Sequence, residues 1–108
     1  MGGIVLGDFE QLVLLALVRQ GRGAYGVSIC QDIAERTGRD ISLGAVYKTL
    51  ERLEDKGLVA SRIGEPTPER GGRRKKHYRP LAAGVRALKQ SMGALRSMTA
   101  GLGSELEL

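Results

Sequence analysis

The chain has 108 residues, 42% of them hydrophobic, which suits one domain around a single small core and excludes a division into two. One Cys and one His exclude an intrachain disulfide framework and leave too few soft ligands for an ordinary zinc site, so no cofactor is expected. The net charge is +5, and the longest apolar run, "LVLLALV", is far short of the roughly 18 residues of a membrane span, which points to a cytoplasmic protein without a membrane partner.

Aromatic residues make up 4% of the chain and Trp is absent, so the core must be built from aliphatic side chains, as in packed helices. After "MGGIVLG", Asp8 is expected to cap a first helix whose Phe9, Leu12, Val13, Leu15, Ala16 and Leu17 cover more than one face. That helix is therefore central, and "GRGAYG" ends it at a tight corner. A second helix from Gly26 to Arg36 turns Val27, Ile29 or Cys30, Ile33 and Ala34 inward and Gln31, Asp32 and Glu35 outward, with Gly38 as its stop. Ser42 then caps a third helix, residues 42–56, in "SLGAVYKTLERLEDKGLV". Its buried stripe is Leu43, Val46, Leu50 and Leu53, and Gly57 closes it with Leu58 available for a Schellman contact. Two helices joined by a short turn containing Gly form a helix-turn-helix candidate.

Beyond Gly57, "LVASRI" alternates as a strand does, "GEPTPERGG" reads as a loop, and "RRKKHYRPL" returns as a second strand. From Ala83 to about Leu102, Val85, Leu88, Met92, Leu95, Thr99 and Leu102 recur at alternating intervals of three and four, a heptad seam for dimerisation. Glycines 84, 93 and 101 weaken that helix by up to about 1 kcal/mol each relative to Ala, so it needs a partner surface. The tail "GSELEL" is expected to fray.

The third helix leaves the outer face of its first turns nearly bare, with Gly44, Ala45 and Lys48 outward. Glu51, Glu54 and Asp55, which would repel phosphates, all fall in its second half, away from the positive end of the helix dipole. Gly44 and Ala45 give clearance for backbone to approach a major groove, and Lys48 is placed for a base edge or a phosphate. Tyr47 sits at the stripe boundary, where its ring can pack inward while its hydroxyl reaches a phosphate. A plain reading makes Tyr47 half-buried core and Lys48 a solvated surface charge.

The hairpin tips the balance. Residues 65–80 hold six Lys or Arg against two Glu, so nearly all of the surplus charge lies there. A hairpin directly after a helix-turn-helix has winged-helix connectivity, and Arg73, Arg74, Lys75 and Lys76 would meet phosphates or the minor groove. The expected fold is mainly α with a small β-hairpin: a winged helix-turn-helix over residues 1–81 and a C-terminal dimerisation helix with its tail over 82–108, in one compact unit.

In "LGDFEQLVLLAL", "AYGVSICQDI", "SLGAVYKTLERLEDKGLV" and "GGRRKKHYRPLAAGVRAL" the chain resembles the PadR family of bacterial transcriptional regulators, in its short form with one C-terminal helix. The resemblance covers roughly residues 6–98. It implies a homodimeric winged-helix repressor or autoregulator, joined through the last helix with help from the first. It also implies that Tyr25, Ser42, Gly44, Tyr47, Lys48 and the wing cations meet double-stranded DNA. Family members often begin the last helix with Thr and an acid; here Ala82 and Ala83 stand instead, which leaves the start of that helix open. Some relatives respond to phenolic compounds or flat hydrophobic drugs, so an unknown small hydrophobic effector is a possible partner, although no Trp is present to stack on one.

An enzyme is not expected: there is no Gly-rich phosphate loop followed by Lys and Ser or Thr and no nucleophile with a base, and His77 reads as a strand-face residue. Two further alternatives are a winged helix that binds an acidic protein and a DNA binder without sequence preference.

Overall fold

The computed structural model describes residues 4–66 and 74–108. The chain forms α1 (Asp8–Gln20), a short 3₁₀ turn (Gly21–Gly23), α2 (Gly26–Thr37), α3 (Leu43–Asp55), β1 (Val59–Pro66), β2 (Arg74–Pro80), α4 (Ala82–Thr99) and a terminal turn α5 (Gly103–Leu106). Among the described residues this is a helical fold with one antiparallel hairpin, as the sequence indicates.

Helix α1 does not start on an Asp8 cap. Gly7 is the N-cap, its N–H donates to Glu10 Oε1 at 2.8 Å, and Asp8 pairs instead with Arg39 Nη1 at 2.7 Å. The reaching-back carboxylate of Glu10 satisfies an otherwise orphan donor, which frees Asp8 for the surface. Val13, Leu14 and Leu17 of α1 are fully enclosed by Ile29 of α2, Val46, Leu50 and Leu53 of α3, and Leu58 and Val59 at the start of the hairpin. Each such aliphatic side chain contributes about 1.5–3 kcal/mol by leaving water.

Two stripe positions differ from expectation. Val27 and Leu43 each sit in the first turn of a helix and are exposed, while Thr49, polar but small, is buried in α3. The remaining inward residues of α2 and α3 are where the helical period puts them. Helix α3 ends as a Schellman turn: Gly57 has φ +75°, and the Leu58 N–H reaches the Leu53 carbonyl at 2.9 Å.

Strand β1 pairs with β2 in the register Val59↔Pro80, Ser61↔Tyr78 and Ile63↔Lys76. It runs further than expected, through Gly64 to Pro66 opposite Arg74, because an irregularity after Ile63 absorbs the extra residues that a regular ladder would not. The corner after α1 adds a third edge: Tyr25 bridges His77, and the Tyr78 N–H donates to the Ala24 carbonyl at 2.9 Å.

Helix α4 begins at Ala82 with Leu81 as an N-cap that offers no side-chain acceptor. What seats it is packing. The Leu58 carbonyl accepts the Leu81 N–H at 2.9 Å and lies directly beneath Gly84, where any Cβ would collide with it. Glycine there is a close-approach requirement rather than only a weak point in the helix. From Ala94 to Met98 the helix is exposed on every side, and it stops at Thr99, with Gly101 at φ +82° turning the chain. Leu102 therefore lies beyond the helix, and the tail forms the turn α5 instead of fraying. The radius of gyration is 15.6 Å, against about 13 Å for a compact domain of about this size, because α4 projects as an arm.

Candidate nucleic-acid interface

At the start of α3, Ser42 Oγ accepts the Ala45 N–H at 3.1 Å. The hydroxyl caps the helix as an acceptor and keeps its own proton to donate outward. Space above Gly44 is open: a Cβ there would touch nothing within 4 Å. An open helical Gly costs about 1 kcal/mol relative to Ala, and no contact among the described residues requires it here. Lys48 is exposed on the same face and forms no ion pair with the described residues.

Tyr47 is 42% exposed, and its ring lies over Gly26, the first residue of α2, where a Cβ would overlap it. Gly26 thus sets how deeply Tyr47 sits against the positive end of a second helix. That role is not visible in the sequence, where Gly26 reads as one more corner residue. Tyr25 caps α2 through its backbone, its N–H donating to Ser28 Oγ at 3.0 Å, and its ring faces the hairpin. Lys75 Nζ lies 4.4 Å from the centre of that ring, and the His77 ring meets it edge-on at 5.9 Å. A cation over an aromatic face is attracted by the ring quadrupole, so Tyr25 presents Lys75 instead of leaving it to wander.

The basic run is not one patch. Alternation along β2 puts Lys75 on the Tyr25 face and Lys76 on the opposite one, 5.6 Å from the centre of the Tyr78 ring. Burial, with Glu54, Tyr47 and Glu51 nearby, raises the Tyr78 pKa, so this phenol stays neutral between α3 and the wing. Arg74 stands at the start of β2, and Arg73 lies outside the described residues. His77 is a half-buried strand-face residue, as expected.

The orientation of α3 rests on Glu10, which is 6% exposed. Its Oε2 accepts from Lys56 Nζ at 2.9 Å and lies 3.8 Å from Arg52 Nε. Burial alone would raise this carboxyl, but the Gly7 N–H, the Lys56 ammonium and the Arg52 guanidinium together hold it below its usual range. Nothing in the heptad or stripe patterns marks this pairing; an acid three residues after a capping Gly was the available signal.

Of the seam residues, Leu88 is 6% exposed and belongs to the protomer's own core, with Met92 packed against that core. Leu95 and Met98 are 50% and 77% exposed. Leu88 is thus buried within the protomer, and Leu102 lies past the end of α4. A mainly apolar groove of about 490 Å³ runs between α1 and α4, lined by Leu15, Val18, Val85, Leu88 and Met92 and also by Lys89 and Arg96. Among the described residues no group of three or more His, Cys, Asp or Glu could hold a metal ion, and no helix is long and apolar enough to cross a membrane.

Comparison with known proteins gives consistent relationships. The family model described as transcriptional regulator PadR-like matches residues 14–90. A PadR family transcriptional regulator from Eggerthella lenta, solved by crystallography, is 32% identical, with 90% of this chain and 82% of that one aligned at a TM-score of 0.66. A PadR family transcription regulator from Clostridium difficile shares the fold at a TM-score of 0.72 and 22% identity, over 92% of this chain and 99% of that one. The transcriptional activator GvpE2 of Halobacterium salinarum is 34% identical over 59 residues, 55% of this chain. This chain spans about a third of that protein, 31% of its length.

Proposed function

The chain belongs to the PadR-like family of DNA-binding transcriptional regulators, which are not enzymes, and on that premise we propose that it works as a homodimer reading an imperfect palindrome. The two copies of α3 enter successive major grooves about 34 Å apart. Gly44 and Ala45 give clearance, Lys48 contacts a base edge, and Ser42, Tyr47 and Tyr25 hold backbone phosphates. Lys75 and Lys76, with Arg73 and Arg74, lie along the backbone or minor groove and supply affinity. The observation that carries this reading is the open, acid-free outer face at the start of α3, where a Gly with open space above it stands beside an exposed Lys48 that forms no ion pair among the described residues.

Dimerisation runs through α4 with help from α1. Leu95 and Met98, continued by Leu15 and Val18 and by the half-buried Val85, form an apolar surface that a second copy covers; Leu88 and Met92 support it from below. A hydrophobic effector, if the protein takes one, fits the α1–α4 groove that this union would enclose. Regulation is by repression, through occupation of the promoter, and the protein acts in the cytoplasm. A reporter driven by the bound promoter then rises when the gene is deleted; a fall would give the opposite sign, as in the relative named an activator.

The test is selection of genomic fragments by the purified protein at about 150 mM salt, where nonspecific attraction is partly screened. Enrichment of one palindromic site, weakened or relaxed by Lys48→Ala, supports the proposal. A folded dimer that enriches no sequence would overturn it and favour a protein-binding winged helix.

A further inference from the structure

At the root of the hairpin, away from its tip, a pocket of about 580 Å³ opens between the turn that ends α1 and the strands β1 and β2. That is the size of an ordinary small-molecule site. Three arginines line it: Arg22 from the 3₁₀ turn, Arg62 from β1 and Arg79 from β2. The register places the two strand arginines together, since Ala60↔Arg79 and Arg62↔His77 are direct pairs and therefore share one face of the hairpin. No acid lines the pocket, and none of the three arginines pairs with a carboxylate among the described residues.

A second observation falls in the same place. His77 lines the pocket, and its Nδ1 is the one buried side-chain nitrogen or oxygen among the described residues without a hydrogen-bond partner. Buried polar atoms are nearly always partnered, which makes this nitrogen an exception among the described residues. Gly21 and Ala60 line the same pocket without charge.

We propose that this pocket binds a small organic anion carrying phosphate or paired carboxylate groups, its acidic oxygens held by Arg22, Arg62 and Arg79 and its carbon skeleton against Ala60. Guanidinium forks match either acid in bidentate fashion, and three of them suit a doubly charged ligand better than a single carboxylate. The three arginines hang from three segments, so one bound anion ties both strands of the wing to the end of α1. On the DNA-binding reading above, occupancy therefore changes how freely the wing adjusts to the backbone. The binding itself does not depend on that reading.

The experiment is calorimetric titration of the full-length protein with inorganic pyrophosphate and, separately, with citrate, at an ionic strength held constant with sodium chloride. Saturable binding of either probe is expected, weakened at least tenfold by Arg62→Gln with Arg79→Gln and also by Arg22→Gln alone, and unchanged by Lys48→Ala. All three arginines are exposed, so circular dichroism should show these variants folded. The stronger probe identifies the acid group. Absence of binding by both probes, or binding that survives the arginine changes, overturns the proposal. So does a loss of duplex DNA affinity in the arginine variants without any probe binding, which would make the pocket part of the DNA surface. Probe binding without any effect on DNA affinity would keep the site and count only against its coupling to the wing.

Discussion

Glu10 and Lys56 meet at 2.9 Å across 46 positions of sequence, joining the first turn of α1 to the residue that ends α3. Replacement by Gln keeps the shape but removes the charge that Lys56 and Arg52 face. Since both cations are partly exposed, the expected loss is about 1–3 kcal/mol, seen as a lower urea midpoint at unchanged slope. The pH dependence has a defined sign. The carboxyl is held below its ordinary value of 4.5, so its contribution is present above that value and disappears as pH falls through the lower folded-state value. Glu10→Gln should therefore flatten the acid side of the stability profile below about pH 4.5; an identical slope in the two proteins would rule out this role.

Two glycines should respond differently to Ala. At Gly84 the added methyl meets the Leu58 carbonyl, fixed backbone, so Gly84→Ala is expected to destabilise by about 1–3 kcal/mol or more. At Gly26 it meets the outer end of the Tyr47 ring, which can swing aside. Gly26→Ala should then change the melting temperature little and weaken DNA binding by about tenfold, a difference of about 1.4 kcal/mol. Thermal unfolding and binding titrations on both variants separate the two effects.

The helices and the hairpin are legible because period and alternation report burial locally. Val46, Leu50 and Leu53 fall on one face by spacing alone, and Ser42 and Gly57 mark the ends of their helix. What escapes is whatever depends on two distant segments meeting. Glu10 with Lys56, Gly26 with Tyr47, and Gly84 with Leu58 are each unremarkable in their own stretch of chain. The heptad seam shows a related limit: Leu88 and Leu95 are equivalent in period, yet α1 covers only the inner half of α4, so one is core and the other exposed. The basic run "RRKK" looks continuous in sequence, but a strand sends neighbours to opposite faces.

Lys48 and Lys75 should be distinguishable by salt and by sequence. If Lys48 reads a base, Lys48→Ala lowers affinity for the selected site by about 1–3 kcal/mol and narrows its margin over mismatched sites, with the salt slope nearly unchanged. Lys75→Ala should weaken binding to all duplexes alike and reduce the slope of log K against log salt by about 0.9 for each phosphate it no longer neutralises. Titrations at several salt concentrations on matched and mismatched duplexes provide the check; the reverse pattern would exchange the two assignments.

Leu95→Asp places a charge on the exposed half of α4 and leaves the protomer core untouched. Sedimentation should show a monomer with helical content largely kept, and affinity for a palindromic site reduced more than a hundredfold. Leu88→Asp buries a carboxylate in the core instead and should unfold the protomer. An intact dimer in the Leu95 variant would remove α4 from the interface.

The Leu58 peptide, held by the Leu53 carbonyl on one side and crossed by Gly84 on the other, makes α4 a lever with a fixed pivot. From Gly84 to the end of the helix at Thr99 the arm is about 23 Å long, so a tilt of about 10° at that pivot carries the far end about 4 Å. If the far ends are where two copies join, a small rotation at the foot of the hairpin alters the distance and angle between the two reading helices, although neither has moved within its own protomer. Tolerance for the spacing between half-sites would then be governed by how stiffly one carbonyl is seated against one glycine.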